Sequence, residues 1–162
     1  MISVEKYNEA VHEYTKNIFR FLYKSLKDED AANDILQDCY LKLWQNRNLV
    51  DPVKIKSWLF SVAHNAMINY LKVESRKTSL NGEIKEQHVF QKHDFDIKSI
   101  LEKALNNLPS QQKSIILLRD LEGYEYKEIA EILKINETQV KVYLYRARLK
   151  VKKSVKSITN VI

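Results

Sequence analysis

Trp58, Phe60, His64, Asn65, Asn69, Tyr70 and Lys72 crowd one stretch of the 162-residue chain, and their types suit one kind of chemistry. Aromatic faces stack on unpaired bases, amides hydrogen-bond base edges and a cation meets phosphate, which is how single-stranded nucleic acid is held. The plain alternative makes Trp58 and Leu59 core residues and the asparagines ordinary solvent-facing groups. A second group lies near the C-terminus. Lys134, Lys141, Arg146, Arg148, Lys150, Lys152, Lys153 and Lys156 are opposed only by Glu137, so a polyanion would be attracted there. A solvated basic helix face competes with that reading. His88 and His93 could ligate a metal, but two ligands in a polar stretch make a weak site, and no metal or other cofactor is expected. The single cysteine, Cys39, rules out an intramolecular disulfide or a CxxC knuckle and reads as a small buried apolar residue in a reducing compartment. No HExxH, P-loop, G-x-S-x-G or Cys-His constellation is present, so an enzyme is not expected.

The elements that must position these residues are helices. With 44% hydrophobic and 30% charged residues the chain can bury a core, and only 2 Gly and 2 Pro leave too few turns for a barrel or sandwich. Val4, Tyr7, Val11, Tyr14, Ile18 and Phe21 recur at alternating spacings of three and four, and Leu22 widens the stripe of a first helix. Asp28, Glu29 and Asp30 suit the start of a second, continued by Ile35, Leu36, Cys39, Tyr40 and Leu43. Asp51-Pro52 breaks the pattern, and a third helix is expected from about Ser57 to Leu71. Periodicity fails after Lys77 and resumes at Ile97. This gives an all-α fold of two small helical domains, 1–77 and 98–162, joined by a flexible linker over 78–97. The linker carries a net −2, the first domain +2 and the last segment +6. No signal-peptide pattern and no run of about 18 apolar residues occurs, so a cytoplasmic protein without membrane insertion is expected.

Within the last segment, Ile97, Ile100, Leu101, Ala104 and Leu105 predict one helix, and Ile115, Ile116, Leu118 and Leu121 another after Leu108-Pro109. Tyr126, Ile129, Ala130 and Leu133 then form an apolar face, and Lys134, Ile135 and Asn136 a turn. Val140, Leu144, Ala147 and Leu149 to Val151 form a further helix, which Asn136 can cap. Two helices joined by so short a turn make a helix-turn-helix, whose second helix enters the DNA major groove. Gln139, Lys141, Tyr143, Tyr145 and Arg146 are the candidates for its outward surface.

These stretches carry a family resemblance. Asp30 to Asp38 with Leu41-Lys42-Leu43-Trp44 resembles the polymerase-binding helix of bacterial sigma factors, and Ser57 to Asn65 with Asn69-Tyr70-Leu71-Lys72 resembles their promoter-melting helix. Leu105 to Pro109, Leu121 to Leu133 and Val140 to Arg148 resemble their C-terminal DNA-binding domain. The blocks follow family order and spacing, and the short chain resembles the extracytoplasmic-function (ECF) group. The resemblance implies that Asp34, Gln37, Asp38 and Trp44 dock on the β′ clamp of core RNA polymerase, with the β flap as a further contact. It implies that Trp58, His64, Asn65, Asn69 and Lys72, with the loop from Arg47 to Lys56, hold single-stranded DNA at the promoter's minus-ten element, one base being flipped out. Gln139, Lys141, Tyr145, Arg146 and Arg148 would read the minus-thirty-five element as duplex, and the linker would thread near the polymerase's RNA path. An anti-sigma factor joins the candidate partners on the same ground. Three positions depart from the family pattern: Glu125 where a Ser cap is common, Lys134 where the turn often has Gly, and Gln139 where Thr is frequent. The competing function is a stand-alone, dimeric helix-turn-helix regulator that binds duplex DNA without polymerase.

Overall fold

Helix α1 (Val4–Leu26) begins where the Ser3 hydroxyl accepts a hydrogen bond from the Lys6 N–H at 3.1 Å, filling one of the donor vacancies that every helix start leaves. The computed structural model describes residues 1–81 and 96–160, so His88, His93 and most of the expected linker lie outside the described residues. Ile18, Phe21 and Leu22 of α1 are fully buried. The N-terminal end of the expected stripe differs: Val4 is exposed, and Ile2 and Ala10 are buried in its place. Helix α2 (Glu29–Gln45) is capped by Asp28, whose carboxylate accepts from the Ala31 N–H at 3.1 Å, and it buries Ala32, Ile35, Leu36, Cys39 and Leu43. Burial pushes the Cys39 thiol up to about 12, as expected of an inert core cysteine.

Asp51 and Pro52 do lie in the break between helices, although α2 already ends at Gln45. The Asp51 carboxylate accepts from the Val53 N–H at 3.0 Å, and a single 3-10 turn (Pro52–Lys54) leads into α3 (Ile55–Asn81). That helix is longer than its apolar pattern predicts, running past Leu71 and through the first four positions expected as linker. The added turns are mostly exposed and polar, so no hydrophobic period announces them. Leu59, Phe60, Ala63 and Met67 of α3 pack with α1 and α2 to complete the N-terminal bundle.

The C-terminal bundle comprises α4 (Ile97–Asn106), α5 (Ser110–Ile116), α6 (Tyr126–Leu133) and α7 (Glu137–Asn160), making seven α-helices among the described residues. A π-helical turn (Leu117–Leu121) continues α5, with the Glu122 N–H donating to the Leu117 carbonyl at 3.0 Å. Gly123 follows at φ 74°, the left-handed conformation that glycine adopts without a Cβ penalty. Ile115, Leu118, Ile129, Ile132, Val140, Leu144 and Ala147 form the core of this bundle. Ile97, Leu121 and Leu149 fall on periodic positions yet are exposed. The two bundles meet where Phe60 of α3 packs edge-on against Tyr124 at 5.1 Å between ring centres, both side chains being buried.

Candidate functional site

One face of α2 is buried and the opposite face is left entirely to solvent. Asp34, Gln37, Asp38, Leu41 and Trp44 recur there at spacings of three and four, all exposed. Trp44 is fixed at the end of the row: its ring and that of Tyr7 pack T-shaped at 5.2 Å between centres, and the Arg47 guanidinium lies 4.2 Å over its ring. Arg47 also donates to the Trp44 carbonyl at 2.9 Å, and the Tyr7 hydroxyl donates to the Tyr40 carbonyl at 3.1 Å. An acidic and amide row ending in an indole fits a partner with cations beside an apolar patch. Leu41, Tyr7 and Arg47 were not among the expected residues of this site. Leu41 could have been found from its spacing of three to Asp38 and Trp44, whereas the support from Tyr7 depends on how α1 crosses α2.

The polar face of α3 holds Asn65, Asn69 and Lys72, all exposed, with Trp58 half-buried two turns earlier on the same side. His64 lies off that row, although a side-chain hydrogen bond links it to Asn65. It stands one residue away, about 100° around the helix, and packs at 6.4 Å from the Phe21 ring. Burial lowers its pKa, so the imidazole is neutral near pH 7, and its Nε2 is enclosed with no hydrogen-bond partner in the protein. His64 therefore belongs to the wall between α3 and α1, not to the row of exposed amides. Ahead of α3, the loop is tied down by the Ile2 N–H, which donates to the Arg47 carbonyl at 2.9 Å, and it leaves Leu49 and Val53 exposed. These two apolar residues carry no periodic signal, and the sequence pointed only to their loop, Arg47 to Lys56, without singling them out.

The helix-turn-helix is α6, a turn and α7. Lys134 stops α6 at φ 56° and ψ 45°, the left-handed conformation expected where relatives often place Gly. Glu125 precedes α6 without a side-chain hydrogen bond to the helix start. Asn136 and Gln139 form a reciprocal capping box. The Gln139 N–H donates to the Asn136 side-chain oxygen at 2.7 Å, and the Asn136 N–H to the Gln139 side-chain oxygen at 3.0 Å. Gln139, expected to meet DNA, thus has its amide oxygen engaged in starting the recognition helix. Arg148 is also engaged: its guanidinium forks onto Asp120 with bonds of 2.6 and 3.1 Å, holding α7 to the π-helical turn. Tyr143 packs against the core. The outward surface of α7 is left with Lys141, Tyr145 and Arg146, Tyr145 being 69% exposed. The Lys141 ammonium lies 5.6 Å from the ring centre of Tyr126, over which the Arg119 guanidinium sits at 4.5 Å.

Between α1 and the helices α4, α5 and α7 lies an open groove of about 480 Å³. Leu101, Leu105, Ile116, Leu117 and Val151 supply its apolar lining, Lys24, Lys98 and Lys152 are among its cations, and Glu102, paired with Lys24 at 3.4 Å, and Asp120 also line it.

Two family models match the chain. Residues 10–77 match the family described as Sigma-70 region 2, and residues 98–151 match Sigma-70, region 4. The ECF RNA polymerase sigma factor SigM of Bacillus subtilis (strain 168) is 30% identical over 150 residues, which cover 90% of this chain and 92% of that protein. The chain belongs to the extracytoplasmic-function sigma factors. RNA polymerase sigma factor SigV of the same organism is 31% identical over 139 residues, 85% of this sigma factor and 84% of the relative. The sigma factor RpoE from Bartonella quintana, solved in complex with the anti-sigma factor NepR, shares the fold with a TM-score of 0.78. That match has 22% identity and covers 94% of this chain and 98% of the other. Like its family, this sigma factor binds core RNA polymerase and directs initiation at selected promoters, as a specificity subunit. The family membership leaves the stand-alone regulator without support, since a Sigma-70 region 2 match precedes the helix-turn-helix. Among the described residues no helix is long and apolar enough to cross a membrane.

Proposed function

We propose that the functions of this sigma factor divide among three separate faces. The row Asp34, Gln37, Asp38 and Trp44, extended by Leu41, docks on the β′ clamp; its acidic and indole groups meet cations and an apolar patch. The α3 face of Trp58, Asn65, Asn69 and Lys72 holds the opened minus-ten strand, with Leu49 and Val53 offering apolar contact to an unstacked base. Lys141, Tyr145 and Arg146 on α7 read the minus-thirty-five duplex, while Gln139 and Arg148 set the position of that helix. Residues 1–77 and 98–162 act as the two domains, linked through 78–97. The apolar groove with its cations suits an amphipathic acidic segment, and the β flap is its assigned occupant; an anti-sigma factor would compete there. The place of action is the cytoplasm, where polymerase and promoter meet.

The observation that carries this reading is that the α2 row and the amides of α3 are all exposed, on two different helices, so each row is open to a partner of its own. Exchanging Asp38 for Lys together with Trp44→Ala tests it. Core polymerase should be retained at least tenfold less well in a pull-down, with helix content unchanged, because both a charge and an anchor are lost. Retention equal to the unaltered protein would contradict the assignment.

A further inference from the structure

The cations that lead into the minus-ten face of α3 are already occupied, and their partners come from the other bundle. The Lys56 ammonium lies 2.5 Å from a Glu128 carboxylate oxygen and 3.9 Å over the Tyr124 ring centre. Lys54 stands 3.7 Å from Glu131, and the Ser57 hydroxyl donates to Glu131 at 3.2 Å. Glu128 and Glu131 are three apart on α6, so they project from one side of that helix. The segment from 98 onward carries a net +6, yet Glu122, Glu125, Glu128 and Glu131 make four of its seven acidic residues, in the run around the start of α6. A basic domain thus turns an acidic edge toward the N-terminal bundle. Two carboxylates meeting two ammonium groups and a hydroxyl offer the same chemistry as a stretch of phosphate backbone.

We propose that Lys54, Lys56 and Ser57 form a phosphate-binding row for single-stranded promoter DNA, which Glu128 and Glu131 occupy in the free chain. The inference rests on the reading of α3 as the minus-ten face and adds how that face is masked. The strength of the contacts suits a mask that must be removed. Lys56 and Glu128 are each about one third exposed and Lys54 more so, and exposed pairs are weak and screened by salt. A nucleic-acid strand competes with several phosphates and gains entropy from released counterions. The neighbouring pair behaves differently: Arg20 forks onto Glu122 with two bonds of 2.8 Å, and the Glu122 side chain is only 1% exposed. That contact, with Phe60 against Tyr124, holds the bundles together. It does not explain why two further carboxylates lie over the lysines at the entrance to α3.

Binding of the full chain, without polymerase, to a labelled single strand of about 15 nucleotides tests the proposal by fluorescence anisotropy. Glu128→Gln with Glu131→Gln should tighten binding by about three- to tenfold, the worth of two exposed pairs. Adding Lys54→Gln and Lys56→Gln should abolish the gain. The charge-matched pair Glu5→Gln and Glu9→Gln, on exposed positions of α1, should leave binding within about twofold, since distant surface charge is screened. No gain from the α6 substitutions, a gain that survives loss of both lysines, or an equal gain from the α1 pair would each overturn the masked row. The same proteins assayed with core polymerase separate the two levels. Loss of minus-ten dependence in transcription by the unaltered chain would overturn the reading of α3, whereas normal initiation without the free-chain gain would overturn only the mask.

Discussion

Asn65 and His64 are neighbours with opposite fates, and the difference is a matter of which way one turn of α3 points. Asn65 is exposed, its amide also hydrogen-bonding the His64 side chain, and Asn65→Ala should impair strand opening while leaving duplex binding near normal. Permanganate reactivity of promoter thymines, measured beside duplex affinity, reports both; equal loss of the two would reject the assignment. Arg146 and Arg148 form a similar contrast on α7. Arg146 is exposed, and Arg146→Ala should cost about 1–3 kcal/mol at the upstream element if it meets a base. Arg148 is held by Asp120, and its pKa is raised, first by that hydrogen bond. Since both partners of this pair are about half exposed, Arg148→Ala should cost about 0–1 kcal/mol of stability and leave base preference intact. Binding to a panel of upstream sequences distinguishes a base reader from a positioning residue. Sequence alone put both arginines in one set, because residue type carries no trace of a partner 28 positions away.

At the scale of elements, most of the fold was legible because its helices bury stripes with a three-and-four period, as Ile18, Phe21 and Leu22 or Val140, Leu144 and Ala147 do. The exceptions were periodic residues at helix starts, as the exposed Val4 and Ile97 illustrate, and Leu149 midway along α7. The final ten residues of α3 follow no apolar pattern, and the π-helical turn has no sequence signature. The helix-turn-helix turn was readable to single residues: Asn136 caps α7, and Lys134 adopts the left-handed conformation. Asn136→Ala should lower stability by about 1 kcal/mol, and Lys134→Gly should raise it by about 1 kcal/mol or less, since glycine removes the strain but frees the unfolded chain. Thermal melting checks both. On α5, burial and then Lys27 push Lys113 down to about 8, while its ammonium donates to Asn106 at 2.9 Å. Below that pH both folded and unfolded chains hold the proton. Between it and the ordinary value of 10.5 only the unfolded chain does, so stability should rise with pH across this window. Lys113→Met should remove that rise, its advantage being larger near pH 7 than near pH 10 in denaturant titrations. A difference constant with pH would show that the ammonium is not depressed.

The whole molecule carries the three proposed faces on two bundles and joins those bundles by contacts that no local pattern reveals. Arg20 reaches Glu122 across 102 positions and Lys56 reaches Glu128 across 72. Charge arithmetic located the basic excess in the C-terminal segment, but it hid the acidic edge that the same segment turns inward. The row proposed for polymerase on α2 and the row proposed for DNA on α7 are exposed in this arrangement, while Lys54 and Lys56 before α3 are paired with Glu131 and Glu128. Such a molecule should need polymerase to use its promoter-reading faces together. The most direct measurement is run-off transcription from a pool of genomic promoter fragments by core polymerase, with and without this sigma factor, followed by sequencing of transcript starts. Starts that cluster behind a shared pair of upstream elements, and that vanish when the sigma factor is omitted, are the predicted result; no sigma-dependent start across the pool would contradict the account.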